Sequence, residues 1–203
     1  MPSTNSLLFV LIAYLIGSFP SGLIIGQLFY KTDIRQHGSG SLGGTNALRV
    51  LGKKGGLIVY LLDILKGGIA VLIAMHMQSE LHPLIISVFA PLGHVYPIFA
   101  KFKGGKAVAT SAGIILFYAP FLLITLAFVF FPTLKLWKMV SLASCLTALT
   151  LSIIVWINPF GNEQYDIIAR SLFTLLTFVV IVKHLPNFKR MIAGTENKIG
   201  HKK

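Results

Sequence analysis

The chain has 203 residues, 55% of them hydrophobic and only 12% charged, with a mean hydropathy of +0.79. That balance excludes an ordinary soluble domain, whose surface carries about twice as much charge. The formal charge of +12 would suggest nucleic acid in a soluble protein, but the basic residues cluster at the ends of apolar runs, as in membrane loops, and no nucleic-acid partner is expected.

Apolar segments lie at about 6–29, 56–76, 83–100, 107–134, 139–158 and 166–183. A helix needs ~20 apolar residues to cross a bilayer, and lipid forces backbone polar groups to pair within each helix. The spacing predicts an all-α integral membrane protein forming one domain over 1–203, with no polar stretch long enough for a second unit. The first run lacks a basic start and a small-residue cleavage pattern, so it reads as a retained span. Cys145 stands alone within an apolar run, which excludes a disulfide framework and suggests no redox role.

After the first span comes His37-Gly38-Ser39-Gly40-Ser41-Leu42-Gly43-Gly44-Thr45-Asn46, followed by Arg49, Lys53 and Lys54. Four glycines and four hydroxyl or amide side chains in ten residues disfavour helix and suit a nest of backbone N–H groups around phosphate oxygens. Thr45 or Asn46 is expected to cap the helix carrying Arg49. The spacing Gly38, Gly40, Gly43 formally matches a dinucleotide motif, but an apolar helix precedes it where a strand is required. A plain flexible connection is the alternative. Within the second span Asp63 and Lys66 share a helical face, and a structural ion pair bracing the first loop is expected.

The second loop reads Gly93-His94-Val95-Tyr96-Pro97-Ile98-Phe99-Ala100-Lys101-Phe102-Lys103-Gly104-Gly105-Lys106. The paired glycines let backbone approach a ligand while Lys106 supplies charge; Ala107 stands where a Walker loop needs Ser or Thr. Membrane anchoring alone accounts for Lys101 and Lys103. In the fourth segment Pro120 falls near the middle and predicts a break. The third loop holds Lys183-His184-Leu185-Pro186-Asn187-Phe188-Lys189-Arg190 and then Gly194-Thr195-Glu196, with His184 and Asn187 spaced to address one bound group.

Parity decides the topology. Dividing the fourth segment at Pro120 returns Arg49, Lys53, Lys101, Lys103, Lys106, Lys135, Lys138 and the tail from Lys183 to one face, and leaves only Arg170 opposite. The positive-inside rule then gives seven transmembrane helices, some short or broken, with the N-terminus outside and the C-terminus cytoplasmic. Carboxylates are too sparse on that inner face for two-metal chemistry, and no nucleophile elbow occurs, so neither a metal nor a covalent acyl-enzyme is expected. A carrier for an organic phosphate is the competing class, although mid-membrane polar residues and an internal repeat are missing.

Taken in order, Gly38-Ser39-Gly40…Thr45-Asn46…Arg49, Gly93-His94…Phe102-Lys103-Gly104-Gly105-Lys106, and His184…Asn187…Arg190…Gly194…Glu196 closely resemble the bacterial acyl-phosphate:glycerol-3-phosphate acyltransferases, the PlsY family. The resemblance runs from Gly17-Ser18-Phe19-Pro20-Ser21-Gly22 to Lys198. Three departures are visible: Ser41 replaces the usual Asn, Leu42 a frequent Pro or Ser, and Lys183 a common Arg.

The resemblance implies transfer of a fatty acyl group from acyl phosphate to the sn-1 hydroxyl of glycerol 3-phosphate, giving lysophosphatidic acid and phosphate. It implies catalytic roles for His184, Asn187, Ser39 and Arg49, and substrate or phosphate binding by Ser39, Ser41, Thr45, Asn46, Arg49, His94, Gly104, Gly105 and Lys106. Asp63, Lys66 and Glu196 would be structural. No cofactor is implied. Partners would be the two substrates, membrane lipid and an upstream enzyme forming acyl phosphate. The place would be the bacterial cytoplasmic (inner) membrane, multi-pass, with the active site facing the cytoplasm.

Overall fold

The computed structural model describes residues 4–77, 79–159 and 161–199, so the basic tail His201-Lys202-Lys203 lies outside the described residues. Among these residues all regular structure is helical: α1 (Thr4–Ser18), α2 (Ser21–Tyr30), α3 (Gly44–His76), α4 (Pro83–Ser87), α5 (Phe89–Val95), α6 (Val108–Tyr118), α7 (Pro120–Trp137), α8 (Val140–Ile157), α9 (Ile167–Lys183) and α10 (Leu185–Ile192). Short 3-10 turns cover Ile34–Gln36 and Ile98–Ala100.

Five stretches are long and apolar enough to cross a membrane: Asn5–Tyr30, Gly52–His76, Pro83–Ala100, Pro120–Trp137 and Val140–Ile157. The pair α9 and α10, bent by 49°, makes a sixth if taken as one span. The protein is therefore a multi-pass membrane protein. Large side chains on these helices, such as Phe121 (83% exposed) and Phe128 (77%), would be a liability in water and suit lipid.

The expected break at Pro120 is present. Helix α6 stops at Tyr118, Ala119 adopts φ −141° and ψ 70°, and proline opens α7, where its missing N–H costs nothing. With 11 residues, α6 reaches ~16 Å at 1.5 Å per residue, about half a bilayer core. Two runs that read as continuous are interrupted. The first divides at Phe19-Pro20 between α1 and α2, and the third at Val88 between α4 and α5. Helix α3 begins well before the apolar run it contains and is kinked at Gly52, whose φ of 76° and ψ of −174° belong to a region reserved for glycine. The kink separates the turn bearing Arg49 from the membrane-crossing part.

Residues 1–118 and 119–203 form two compact units. In the first, α1 packs on α5 and α3 on α6 through reciprocal glycines. A Cβ on Gly17 would strike the Ala90 carbonyl and one on Gly93 the Tyr14 carbonyl; Gly67 and Gly113 meet Thr110 and Ile64 the same way. Such small residues let helix backbones touch where lipid supplies no hydrophobic drive between helices. In the second unit α8 packs against both α7 and α9. Hydrogen bonds tie the latter pair: Trp156 Nε1 donates to Thr174 Oγ1 at 2.9 Å and Thr177 Oγ1 to the Ala148 carbonyl at 2.7 Å.

Candidate functional site

The first glycine loop is organised by one buried side chain. Asn46 accepts the Ser39 N–H through Oδ1 at 2.8 Å, and its Nδ2 donates to the carbonyls of Ile34 (2.8 Å), His37 (3.1 Å) and Ser41 (2.9 Å). Left-handed backbone at Gly38 (φ 62°) and Gly40 (φ 71°) wraps the chain around this amide. The capping expectation is thereby corrected. The N-cap of α3 is Gly43, with no side-chain cap, because both ends of the Asn46 amide are engaged by the loop backbone.

The expected backbone nest is also reduced. The N–H groups of Ser39, Gly40 and Gly43 already have protein acceptors, in Asn46, His37 and Ser41. The side chains of His37, Ser39 and Arg49 are exposed, whereas Gly44, Asn46 and Ala47 at the start of α3 are buried. Thr45 Oγ1 shares a hydrogen bond with the Tyr60 hydroxyl. Upstream, Asp33 caps the 3-10 turn by accepting the Arg35 N–H at 2.9 Å and pairs with the Arg35 guanidinium, which holds its carboxyl below the usual aspartate range.

The second loop adjoins the first within the same unit. Lys101 (φ 55°), Phe102 (φ 60°) and Ala107 (φ 61°) carry side chains in left-handed conformation, each at a cost of about 1 kcal/mol or more, a strain that commonly marks working loops. Gly104 and Gly105 leave no room for a Cβ: the first would strike the His94 carbonyl and the second the His94 ring. Lys106 is half-buried.

Beneath both loops, Asp63 Oδ1 collects three groups: the Ser21 hydroxyl, Lys66 Nζ at 2.8 Å and His94 Nδ1 at 3.6 Å. Lys66 also donates to the Phe19 carbonyl at 3.2 Å, where α1 gives way to α2. A narrow cleft lined by Phe19, Ser21, Leu42, Lys66, His94 and Pro97 opens beside this cluster.

In the second unit His184 (3% exposed) ends α9, its Nδ1 2.8 Å from the Val180 carbonyl, which leaves Nε2 as the ring's other functional atom. Asn187, one turn on, is held by Glu196, which also accepts from Ser141 and Arg190. Burial opposes ionisation of Glu196, but these three hydrogen bonds outweigh it and keep the carboxyl below the usual glutamate range.

The sequence pointed to no role for Ser21, although it lies in the first stretch of the family resemblance, nor for Tyr60 or Ser141. A lone hydroxyl in an apolar helix gives no local signal, and Ser141 lies 55 residues from its partner.

Residues 7–194 match the family model described as glycerol-3-phosphate acyltransferase. The chain belongs to that family. A glycerol-3-phosphate acyltransferase of Bacillus subtilis (strain 168) is 54% identical over 192 residues, covering 95% of this chain and 96% of the relative. One from Bacillus velezensis is 51% identical over the same length. The fold matches crystal structures of PlsY, an integral membrane glycerol 3-phosphate acyltransferase. Its glycerol 3-phosphate form aligns with a TM-score of 0.89 at 32% identity, covering 97% of this chain and 96% of that one. Its lysophosphatidic acid form gives 0.85 at 31% identity, with the same coverage. Membership of the PlsY family makes this chain a membrane acyltransferase of phospholipid synthesis.

Proposed function

We propose that this protein transfers a fatty acyl group from acyl phosphate to the sn-1 hydroxyl of glycerol 3-phosphate. The observation that carries the reading is the near full-length match to PlsY in its glycerol 3-phosphate form, with glycine-and-base loops present in the matched chain. The donor is a mixed anhydride and already activated, so the protein has to bind two like-charged substrates, align them and stabilise an oxyanion. No metal or cofactor enters the scheme.

The hydroxyl oxygen attacks the acyl carbonyl carbon, the bond from that carbon to the phosphate oxygen breaks, and the hydroxyl proton passes to a substrate phosphate. Lysophosphatidic acid and inorganic phosphate leave. Ser39, Thr45, Arg49 and Lys106 recognise phosphate, with Ser41 as a neighbouring donor; Gly104 and Gly105 shape the glycerol 3-phosphate pocket. His184 and Asn187 act on the acyl phosphate, His184 by orienting or donating. Asn46, Asp63, Lys66 and Glu196 hold these groups in place. Residues 1–203 serve as one acyltransferase domain.

The charge distribution supports a topology of seven spans, with α6 counted as a short one, N-terminus outside and C-terminus inside. That arrangement puts the reaction on the cytoplasmic face of the bacterial inner membrane, where an upstream enzyme supplies acyl phosphate. Purified protein with radiolabelled glycerol 3-phosphate and acyl phosphate should yield labelled lysophosphatidic acid, and acyl-CoA should not replace the donor. Uptake of label into vesicles without a lipid product would instead mark a carrier.

A further inference from the structure

We propose that Asp63 and His94 act together as a positioning pair that sets Gly105, and through it Lys106, for glycerol 3-phosphate. The inference rests on the reaction proposed above and replaces the expected direct contact between His94 and phosphate.

His94 grips Gly105 twice. Its carbonyl accepts the Gly105 N–H at 3.0 Å, and its Nε2 occupies the position a Gly105 Cβ would take, 2.0 Å from that ideal atom. The same Nε2 would be 3.9 Å from a Cβ on Gly43, so the ring fills the seam between the two glycine loops. At its other end Nδ1 faces Asp63 Oδ1 at 3.6 Å. Asp63 is itself fixed by the Ser21 hydroxyl at the start of α2 and by Lys66 on its own helix. One carboxylate oxygen thus ties α2 and α3 to the ring that carries the second loop.

Stability alone gives little reason for this cluster. Asp63, Lys66 and His94 are 0%, 5% and 6% exposed, and all three lie in membrane-crossing segments. Buried charges there are expensive, and apolar residues of similar volume commonly replace such pairs without loss. Asp63 Oδ2 remains without a hydrogen-bond partner, so the arrangement is not optimised for satisfaction either. It is arranged to hold Nε2 against Gly105.

The test uses purified full-length protein in phospholipid vesicles, with each variant checked for folding by thermal melting. Asp63→Asn and His94→Asn should raise KM for glycerol 3-phosphate about tenfold, while kcat stays within about threefold and KM for acyl phosphate is unchanged. His94→Gln puts an amide nitrogen near the Nε2 position but loses the Nδ1 contact with Asp63, and should recover only part of the loss. Gly105→Ala should harm the wild type far more than a His94→Ala background. An unchanged KM for glycerol 3-phosphate in folded His94→Asn, equal effects on both substrates, or no advantage of Gln over Asn would overturn the pair. A wild-type protein forming no lysophosphatidic acid would instead sink the underlying reaction.

Discussion

Glu196 Oε1 accepts the Asn187 side-chain amide at 2.7 Å, which makes a residue beyond the last helix the support of a candidate catalytic side chain. The same oxygen takes the Ser141 hydroxyl at 2.8 Å, and Oε2 takes Arg190 Nε at 2.8 Å. Because these bonds hold the folded carboxyl below its usual range, the native state binds fewer protons than the unfolded one on acidification. The stability it contributes is complete above the unfolded value of about 4.3 and is lost as pH falls through the lower folded value. Thermal melting from about pH 6 to about pH 3 should show a steeper decline for the wild type than for Glu196→Gln, which cannot titrate. Parallel curves would remove Glu196 from this account.

Asn46→Ala should open the first loop. The variant gives up the bond from Ser39 N–H and two amide protons shared among the carbonyls of Ile34, His37 and Ser41, about 1 kcal/mol per proton, and takes the amide donor away from the buried Ile34 carbonyl. Acyltransferase activity should fall by about 10²-fold or more, and trypsin should cut faster at Arg35. Asn46→Asp, which sets a carboxylate against three carbonyl oxygens, should be no better.

Arg49 lies on the short turn of α3 before the Gly52 kink, exposed at the end of the first loop. Arg49→Ala should lower kcat/KM at least ~10²-fold if the guanidinium supports the transition state, by analogy with loss of one oxyanion donor. Arg49→Lys should recover only part of this, because an ammonium cannot make a forked contact with phosphate. Unchanged steady-state kinetics in Arg49→Ala would refute the placement.

His184→Gln keeps a nitrogen near Nε2 but cannot exchange a proton near neutral pH. Turnover should drop at least about tenfold, with the fold intact by thermal melting. A variant with near-normal turnover would take the histidine out of the scheme.

Local chemistry was legible in the sequence where its cause was local. Pro120 announced the end of α6 because proline lacks a donor, and Asp63 with Lys66 announced a pair because three residues place them on one face of an apolar helix. Pro20 carried the same signal as Pro120 but sat within a run just long enough to pass as one span. The role of Asn46 was not legible. Its position after paired glycines resembles a cap, and only the folded loop brings the Ile34 and His37 carbonyls back to it. The contacts of Ser21 and His94 with Asp63 join segments dozens of residues apart, which no spacing within the chain reports.

The central claim, that the three candidate loops share the cytoplasmic side, is tested most directly by cysteine labelling. With Cys145 replaced by alanine, single cysteines at Ser39, Lys103 and Lys189 should react with a membrane-impermeant maleimide only in inside-out vesicles, and a cysteine at Asn162 only in intact cells. Modification of any of the first three from outside intact cells would contradict the account.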